Sequence, residues 1–428
     1  MSRIRKRYWL YIDSYIYISQ KKGNVVFYNP YTGKIVEYKK NKTISRLAKQ
    51  LTMPGNLLVI SITEKDLNDP EIRRFVDDIR TYYMGDLLAQ GHSKQKPIQM
   101  PAYVKIQRDI KYLRKDANRS VGEVLINYLD EITFYLNDSC SQHCSFCQIA
   151  FKQVPCCTAR KGNGIILDIN SLEKIIDDIS GWSVSKINIS GGNILAYPFL
   201  ERFILHLNSL HIPKTFYIHY LNAFSYLDKL KIICSSYNKV KILIGFPFDV
   251  EAFKKVNDFF QILGIELIPC FLIQNVDEFD QSKKIIPNFK LESAMYYPVY
   301  NGYNMDFFRE YIFVRKEDIE ENRPTLRQIY INTVLNSEYF GKINIFPDGS
   351  IFSSLNMSKL GNLKKNSLYD TVFKEMKEGK GWFKRRRFVM PCKQCNYEYL
   401  CPPITSYNII AKKYDFCHIW NHWENVSQ

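Results

Sequence analysis

No uninterrupted apolar run in this 428-residue chain reaches the roughly 18 residues that cross a bilayer, which excludes a membrane-spanning helix. The opening MSRIRKRYWLYIDSYIYISQ sets basic residues before an apolar run, as a secretory signal does. However, Asp13, Ser14 and Ser19 interrupt that run, and its alternation is that of a strand. There is no internal repeat and no low-complexity tract, so repeat arrays and biased disordered segments are excluded. Acidic side chains are scarce: 43 Asp and Glu against 59 Lys and Arg leave a formal charge of +16. Such a surplus favours an acidic partner, whether nucleic acid, an anionic membrane surface or an acidic peptide. A solvated Lys-rich surface from an A/T-rich genome accounts for it equally well.

What is present is enough for a core, with 46% hydrophobic residues and 14% aromatics over a length that suits two or three domains. Without a signal or a span the expected location is the cytoplasm. There the eleven cysteines are expected as thiols, metal ligands or cluster ligands rather than disulfides.

Residues 8–36 alternate polar and apolar around the turn signals KKGN and NPYTGK, as in a small antiparallel meander. Helical patterns follow in TISRLAKQL and DPEIRRFVDDIRTYYMGDLL, where Asp69 is placed to cap and Pro70 to open the helix. Residues 1–90 thus form one small unit, and 91–125, with GHSKQKPIQMP, a linker. From 126 to 305 strands alternate with helices: EITFYLN, KINIS, TFYIHYL, VKILIGF, IELIPCFLI and ESAMYYPVY, separated by SLEKIIDDIS, YPFLERFILHLNSL, AFSYLDKLKIICSSY and EAFKKVNDFFQIL. The expected fold is α/β, a parallel sheet with right-handed crossovers, open or curled into a partial barrel. In such folds chemistry gathers at the C-terminal ends of the strands. The rhythm stops near 306; 306–345 reads as a bridge, and 346–428 as a small unit with little core of its own, of the kind a metal or cluster holds together.

The stretch CSQHCSFC falls two residues past the first strand of the alternating region. Cys140, Cys144 and Cys147 on one short loop can direct three thiolates at a single inorganic centre. A zinc site completed by His143 or a remote ligand, and a chance cluster of buried thiols, are the competing readings. On a four-iron cluster three thiolates leave one iron open, as a catalytic zinc keeps an open position. A second group, Cys392, Cys395, Cys401 and Cys417, is a full ligand set for a closed centre; zinc and a four-iron cluster compete evenly for it.

The C-x3-C-x2-C spacing after the first strand of a six-fold βα unit, with Phe146 just before the third cysteine, resembles the radical S-adenosylmethionine enzymes. The resemblance covers residues 130–305 and implies a partial (β/α)6 barrel. It also implies a 4Fe–4S cluster on Cys140, Cys144 and Cys147 whose open iron binds S-adenosylmethionine. The second strand ends in Ser190, Gly191, Gly192 and Asn193, where that family carries Gly-Gly-Glu around the methionine moiety; Asn193 can accept a hydrogen bond but brings no charge. Asn222, Asp249 and Gln274, near later strand ends, are candidates for ribose or adenine and equally for caps and turns. The tetrad resembles the SPASM extension, which implies an auxiliary 4Fe–4S cluster. A second auxiliary cluster is expected to be lost, because Ser353 and Ser354 follow the turn FPDG where a cysteine belongs and Thr405 replaces another ligand.

YLCPPITSYN resembles the ending of peptide maturases from Bacteroidales gene clusters, and residues 1–90 resemble PqqD-like peptide-recognition domains, three-stranded winged helices that take a leader as an added strand. The family then implies a cytoplasmic enzyme that modifies a ribosomally made precursor peptide, with flavodoxin or ferredoxin as electron donor and no membrane partner. A non-catalytic scaffold for another maturase and, further off, an RNA-modifying enzyme are the alternatives. Cys156 and Cys157 are expected as ordinary thiols, Cys234 and Cys270 as core, and the run KRRRF from Lys384 as a solvated basic face.

Overall fold

The computed structural model describes residues 6–91, 95–100, 126–142, 144, 147–155, 164–234 and 238–420. The greater part of the expected linker, with Phe146, Cys156, Cys157 and His143, lies outside the described residues. No helix among the described residues is long and apolar enough to cross a membrane.

Residues 6–90 build two small antiparallel sheets. Strands β1 (Arg7–Ile12), β5 (Val59–Thr63) and β6 (Gly85–Ala89) pair in the order β5-β1-β6, while β2 (Tyr17–Lys21), β3 (Asn24–Tyr28) and β4 (Ile35–Tyr38) form a meander. The expected helices are Lys42–Leu51 and Pro70–Thr81; Asp69 accepts from the Glu71 N–H and Pro70 opens the second, where its missing donor costs nothing. Both lay apolar faces on a core containing Leu10, Ile12, Phe27 and Phe75. The stretch MGDLL departs from the expected helix. It turns at Tyr83 (φ 53°) and returns as β6, and Gly85 is tolerated against β1 because a Cβ there would strike the Tyr11 carbonyl.

The mixed α/β remainder is organised by one nine-stranded sheet. Strands β7 (Glu131–Tyr135), β8 (Lys186–Ser190), β9 (Lys214–His219), β10 (Asn238–Ile244), β11 (Ile268–Ile273) and β12 (Met295–Pro298) lie side by side in chain order, all parallel. Within the expected helix at 223–237, the described residues 223–234 depart from a single helix. Tyr226, at φ −137°, separates Tyr220–Ser225 from Leu227–Ile233, and the bend lets Leu230 and Ile233 reach the core. The alternation also resumes beyond 306: β13 (Lys342–Ile345) pairs in parallel with β7, and β14 (Ser350–Phe352) and β15 (Gly361–Asn362) extend that edge.

Both faces of the parallel strands are covered, which is why they read as continuous apolar runs. Ile132 and Phe134, Ile187 and Ile189, Phe216 and Ile218, Val240 and Ile242 and Ile343 and Ile345 face the helices in the largest core cluster. Their neighbours Tyr217, Leu243, Cys270, Leu272, Met295 and Tyr297 belong to the opposite face, together with Cys147, Ala150 and Val154. The period of two in each strand thus assigns one face to the core and the other to the cysteine loop.

Candidate functional site

The first cysteine group sits where β7 ends. Leu136 and Asn137 leave the strand, and the chain runs through Asp138 and Ser139 to Cys140, Cys144 and the short helix Cys147–Ala150. Cys147 is 5% exposed, and Cys140 and Cys144 pack partly buried against the same cluster as Tyr217, Cys270 and Tyr297. The Cys147 amide donates to the Cys144 carbonyl at 3.1 Å, folding the loop over the sheet's second face. Asn222, 1% exposed on the helix after β9, directs its Nδ2 at Cys140 Sγ (3.7 Å) while its Oδ1 accepts from Gln142 Nε2 (2.8 Å). Its amide therefore faces a cysteine sulfur. Asp249 instead caps the helix Val250–Leu263 through the Ala252 N–H, and Gln274 accepts from Asn301 and Asn304.

Ser190 to Asn193 lie directly against this loop. Gly191 (φ 96°) and Gly192 (φ 50°) occupy left-handed conformations. A Cβ on Gly191 would meet the backbone of Tyr135 and Leu136, and one on Gly192 would overlap Asn137 Oδ1 and the Ser139 carbonyl. The space freed by the missing side chains is filled by the segment that carries the cysteines. The Ser190 carbonyl accepts from Leu136 N (2.9 Å), and the Asn193 amide donates to the Ser139 carbonyl at 2.6 Å. The Asn193 side chain is 6% exposed and caps the short turn Ile194–Ala196 through Leu195 N (3.2 Å).

Asn137, which the sequence reading passed over, holds the two loops together. Its Nδ2 donates to the Asn193 carbonyl (2.7 Å), and its Oδ1 accepts from the Ser139 amide (3.1 Å). An Asn directly after a strand is too common to stand out; its signal is only that it precedes the first cysteine by three. Asn137→Ala leaves both backbone groups without these partners in a site where Asn137 is 3% exposed. The expected loss is about 1–3 kcal/mol of unfolding free energy, measured by urea denaturation. A surface Asn→Ala control should move it by less than about 0.5 kcal/mol.

His219 ends β9 4% exposed; burial pushes its imidazole down to about 4, so it is neutral at pH 7, and its Nδ1 accepts from Leu221 N (3.4 Å). Burial likewise pushes the Cys270 thiol up to about 12. Beside the cysteine loop a cavity of about 140 Å³ opens between β7 and β13, lined among others by Tyr135, Phe151, Glu338, Lys342, Ser353 and Ser354. Burial raises the Glu338 carboxyl above its ordinary range. Glu131, also on its wall, pairs with Lys186 (3.8 Å) and Lys342 (3.9 Å).

The second group is buried elsewhere. Cys395 and Cys401 pack with Tyr397 and Leu400 against Val26, Tyr28 and Ile35 of the β2–β4 meander, and Cys417 joins that cluster partly buried. Lys21 pairs with Glu398 (2.6 Å) and Ser19 donates to Asn396 Oδ1 (3.0 Å), so the meander closes over the tetrad. Burial pushes the Cys395 thiol up to about 12, and raises Cys401 and Cys417 as well. The run KRRRF is only partly a solvated face. Arg387 is exposed, but Arg386 is 9% exposed and its Nη1 donates to Cys392 Sγ at 3.3 Å. Among the described residues no three His, Cys, Asp or Glu side chains are gathered closely enough to hold a single metal ion.

No protein-family profile and no curated protein matches the chain. Its similarities are to solved structures. Streptococcus suis SuiB bound to precursor peptide SuiA has 14% identity and a TM-score of 0.49, with 96% of this chain and 100% of that chain covered. SuiB bound to S-adenosylmethionine has 14% identity and a TM-score of 0.47 over the same shares, and a further SuiB structure has 13% and 0.46 over 95% and 100%.

Proposed function

We propose that this chain is a radical S-adenosylmethionine enzyme that modifies a ribosomally made precursor peptide, with its first cluster on Cys140, Cys144 and Cys147. The observation that carries the reading is the joint packing of that loop and Gly191–Gly192 at neighbouring C-terminal strand ends of a parallel sheet, where βα folds keep their chemistry. The donor set fits a 4Fe–4S cluster: three thiols on one loop, one of them facing an amide N–H from Asn222. When bound, such a cluster with S-adenosylmethionine supplies a one-electron cleavage and a 5'-deoxyadenosyl radical for hydrogen abstraction.

The chain's own residues do the remainder. Gly191, Gly192 and Asn137 fix the loop, Asn222 orients Cys140, and the apolar cluster of Tyr217, Leu243 and Tyr297 keeps water from the sheet face beneath it. The six parallel strands form the partial barrel in this reading. The cavity beside β13 receives the peptide's reacting residue, with Ser353 and Ser354 lining space that a second auxiliary cluster would otherwise fill. The tetrad holds one auxiliary 4Fe–4S cluster. Its four cysteines are a full ligand set for a closed centre, and the likeness of their spacing to the SPASM extension favours iron and sulfide over zinc. The first ninety residues take the leader as an added strand, for which β5 and β6 are the edges of their sheet. A flavodoxin or ferredoxin supplies the electron.

Anaerobic reconstitution of the full chain with iron and sulfide, followed by assay for 5'-deoxyadenosine under a strong reductant, tests the reading; cleavage is expected, and its absence overturns the catalytic claim. One observation favours the non-catalytic scaffold. Asn193 stands where an acid would pair with the ammonium, and it uses its Oδ1 as a cap. A scaffold binds the peptide in the same assay and forms no 5'-deoxyadenosine.

A further inference from the structure

Arg386 is a buried cation. Its Nε donates to the Pro402 carbonyl (2.5 Å), and its Nη1 to the Tyr414 carbonyl (3.0 Å) and to Cys392 Sγ (3.3 Å). The acids of the neighbourhood are committed elsewhere: Glu398 pairs with Lys21 (2.6 Å) and Asp415 with Lys413 (4.0 Å). Among the described residues no carboxylate lies within ion-pair distance of Arg386. What it touches is sulfur at Cys392, and the two carbonyls it holds, Pro402 and Tyr414, flank Cys401 and Cys417 in the chain. Two carbonyl dipoles do not offset the cost of removing a guanidinium from water. Four neutral thiols do not do so either, because they bring no negative charge. Four thiolates around a doubly positive inorganic core leave a net charge of −2, which does.

We infer that Arg386 is the built-in counter-cation of an anionic centre on Cys392, Cys395, Cys401 and Cys417, raising that centre's reduction potential and securing its retention. The inference rests on the tetrad reading above and adds a role for a residue outside the ligand set. The fork of Arg386 also joins the centre to two backbone segments. Pro402 follows Cys401 directly and Tyr414 precedes Cys417 by three residues, so one side chain fixes the approach of both late ligands. Charge and hydrogen bonding act in the same direction on the potential, since both favour the more reduced and more negative state.

The test compares wild type with Arg386→Met and Arg386→Lys in the full chain with Cys140, Cys144 and Cys147 replaced by alanine. Reduction is followed by electron paramagnetic resonance and iron loss by transfer to a chelator; circular dichroism reports folding. In Arg386→Met the potential moves to more negative values and iron is lost about ten- to hundredfold faster, the usual scale for removing a hydrogen-bond partner of a ligand. Arg386→Lys keeps the charge and recovers most of both. A folded Arg386→Met chain that takes up no iron where Arg386→Lys does also supports the role. Equal potentials and equal iron loss in all three overturn it, as does an Arg386→Lys that behaves like Arg386→Met. A wild-type tetrad that binds no iron overturns the tetrad reading together with the inference. Should the triple alanine background not fold, iron loss in the chain with its first cysteine group intact gives the same comparison.

Discussion

Cys147→Ala is expected to abolish 5'-deoxyadenosine formation and to remove about half of the bound iron, four of about eight atoms if both centres are four-iron clusters. Cys147 begins the helix Cys147–Ala150 and is the most buried of the three sulfurs, packed with Ala150, Val154 and Tyr217. Alanine suits a helix and fits the space, so the fold is expected to survive the change. The lost function is the thiolate itself, and two remaining ligands cannot hold the centre. The tetrad keeps its iron because it packs in a different cluster, against β3 and β4. Iron assay, circular dichroism and product chromatography on one preparation separate these effects. Cleavage that survives Cys147→Ala removes the triad from the chemistry.

Gly192→Ala tests placement rather than ligation. At φ 50° alanine carries some backbone strain, but the larger effect is steric, because its methyl overlaps Asn137 Oδ1 and the Ser139 carbonyl. Both belong to the segment that ends at Cys140, so relief requires the cysteine loop to move away from β8. Since a shift of about 1 Å in a reacting group costs on the order of a hundredfold in rate, 5'-deoxyadenosine formation should fall by about that factor while iron binding persists. Gly181→Ala is the control, since an added Cβ there meets nothing. An unchanged rate in Gly192→Ala would mean that the Gly-Gly turn is only a turn.

The parallel strands were legible because burial on both faces writes each of them as a short apolar run bounded by turn residues. KINIS became β8 at its full length, and ESAMYYPVY shortened to Met295–Pro298, losing the polar Glu292 and Ser293 at its start and ending at a proline, which has no N–H to give a ladder. Strand β13 was not legible as part of that sheet. Its partner β7 lies some two hundred residues earlier, and no local pattern encodes so distant a pairing. The cysteine groups announced themselves by spacing, which is covalent and local. Asn137 and Arg386 did not, because their significance lies in what folding brings to them. An Asn after a strand and an Arg in a basic run each look ordinary until Asn193 and Cys392 come within hydrogen-bonding distance. The run from Lys384 shows the limit clearly, since a run of basic residues predicts solvent and yet Arg386 turns inward.

The account stands on an open iron at the triad that takes S-adenosylmethionine. Its most direct measurement is electron paramagnetic resonance of the reduced, reconstituted full chain, recorded with and without S-adenosylmethionine, beside Cys147→Ala treated identically. The account predicts that S-adenosylmethionine alters the spectrum of the wild-type chain and leaves that of Cys147→Ala unchanged. A wild-type spectrum indifferent to S-adenosylmethionine, or zinc in place of iron at Cys140, Cys144 and Cys147, would contradict it.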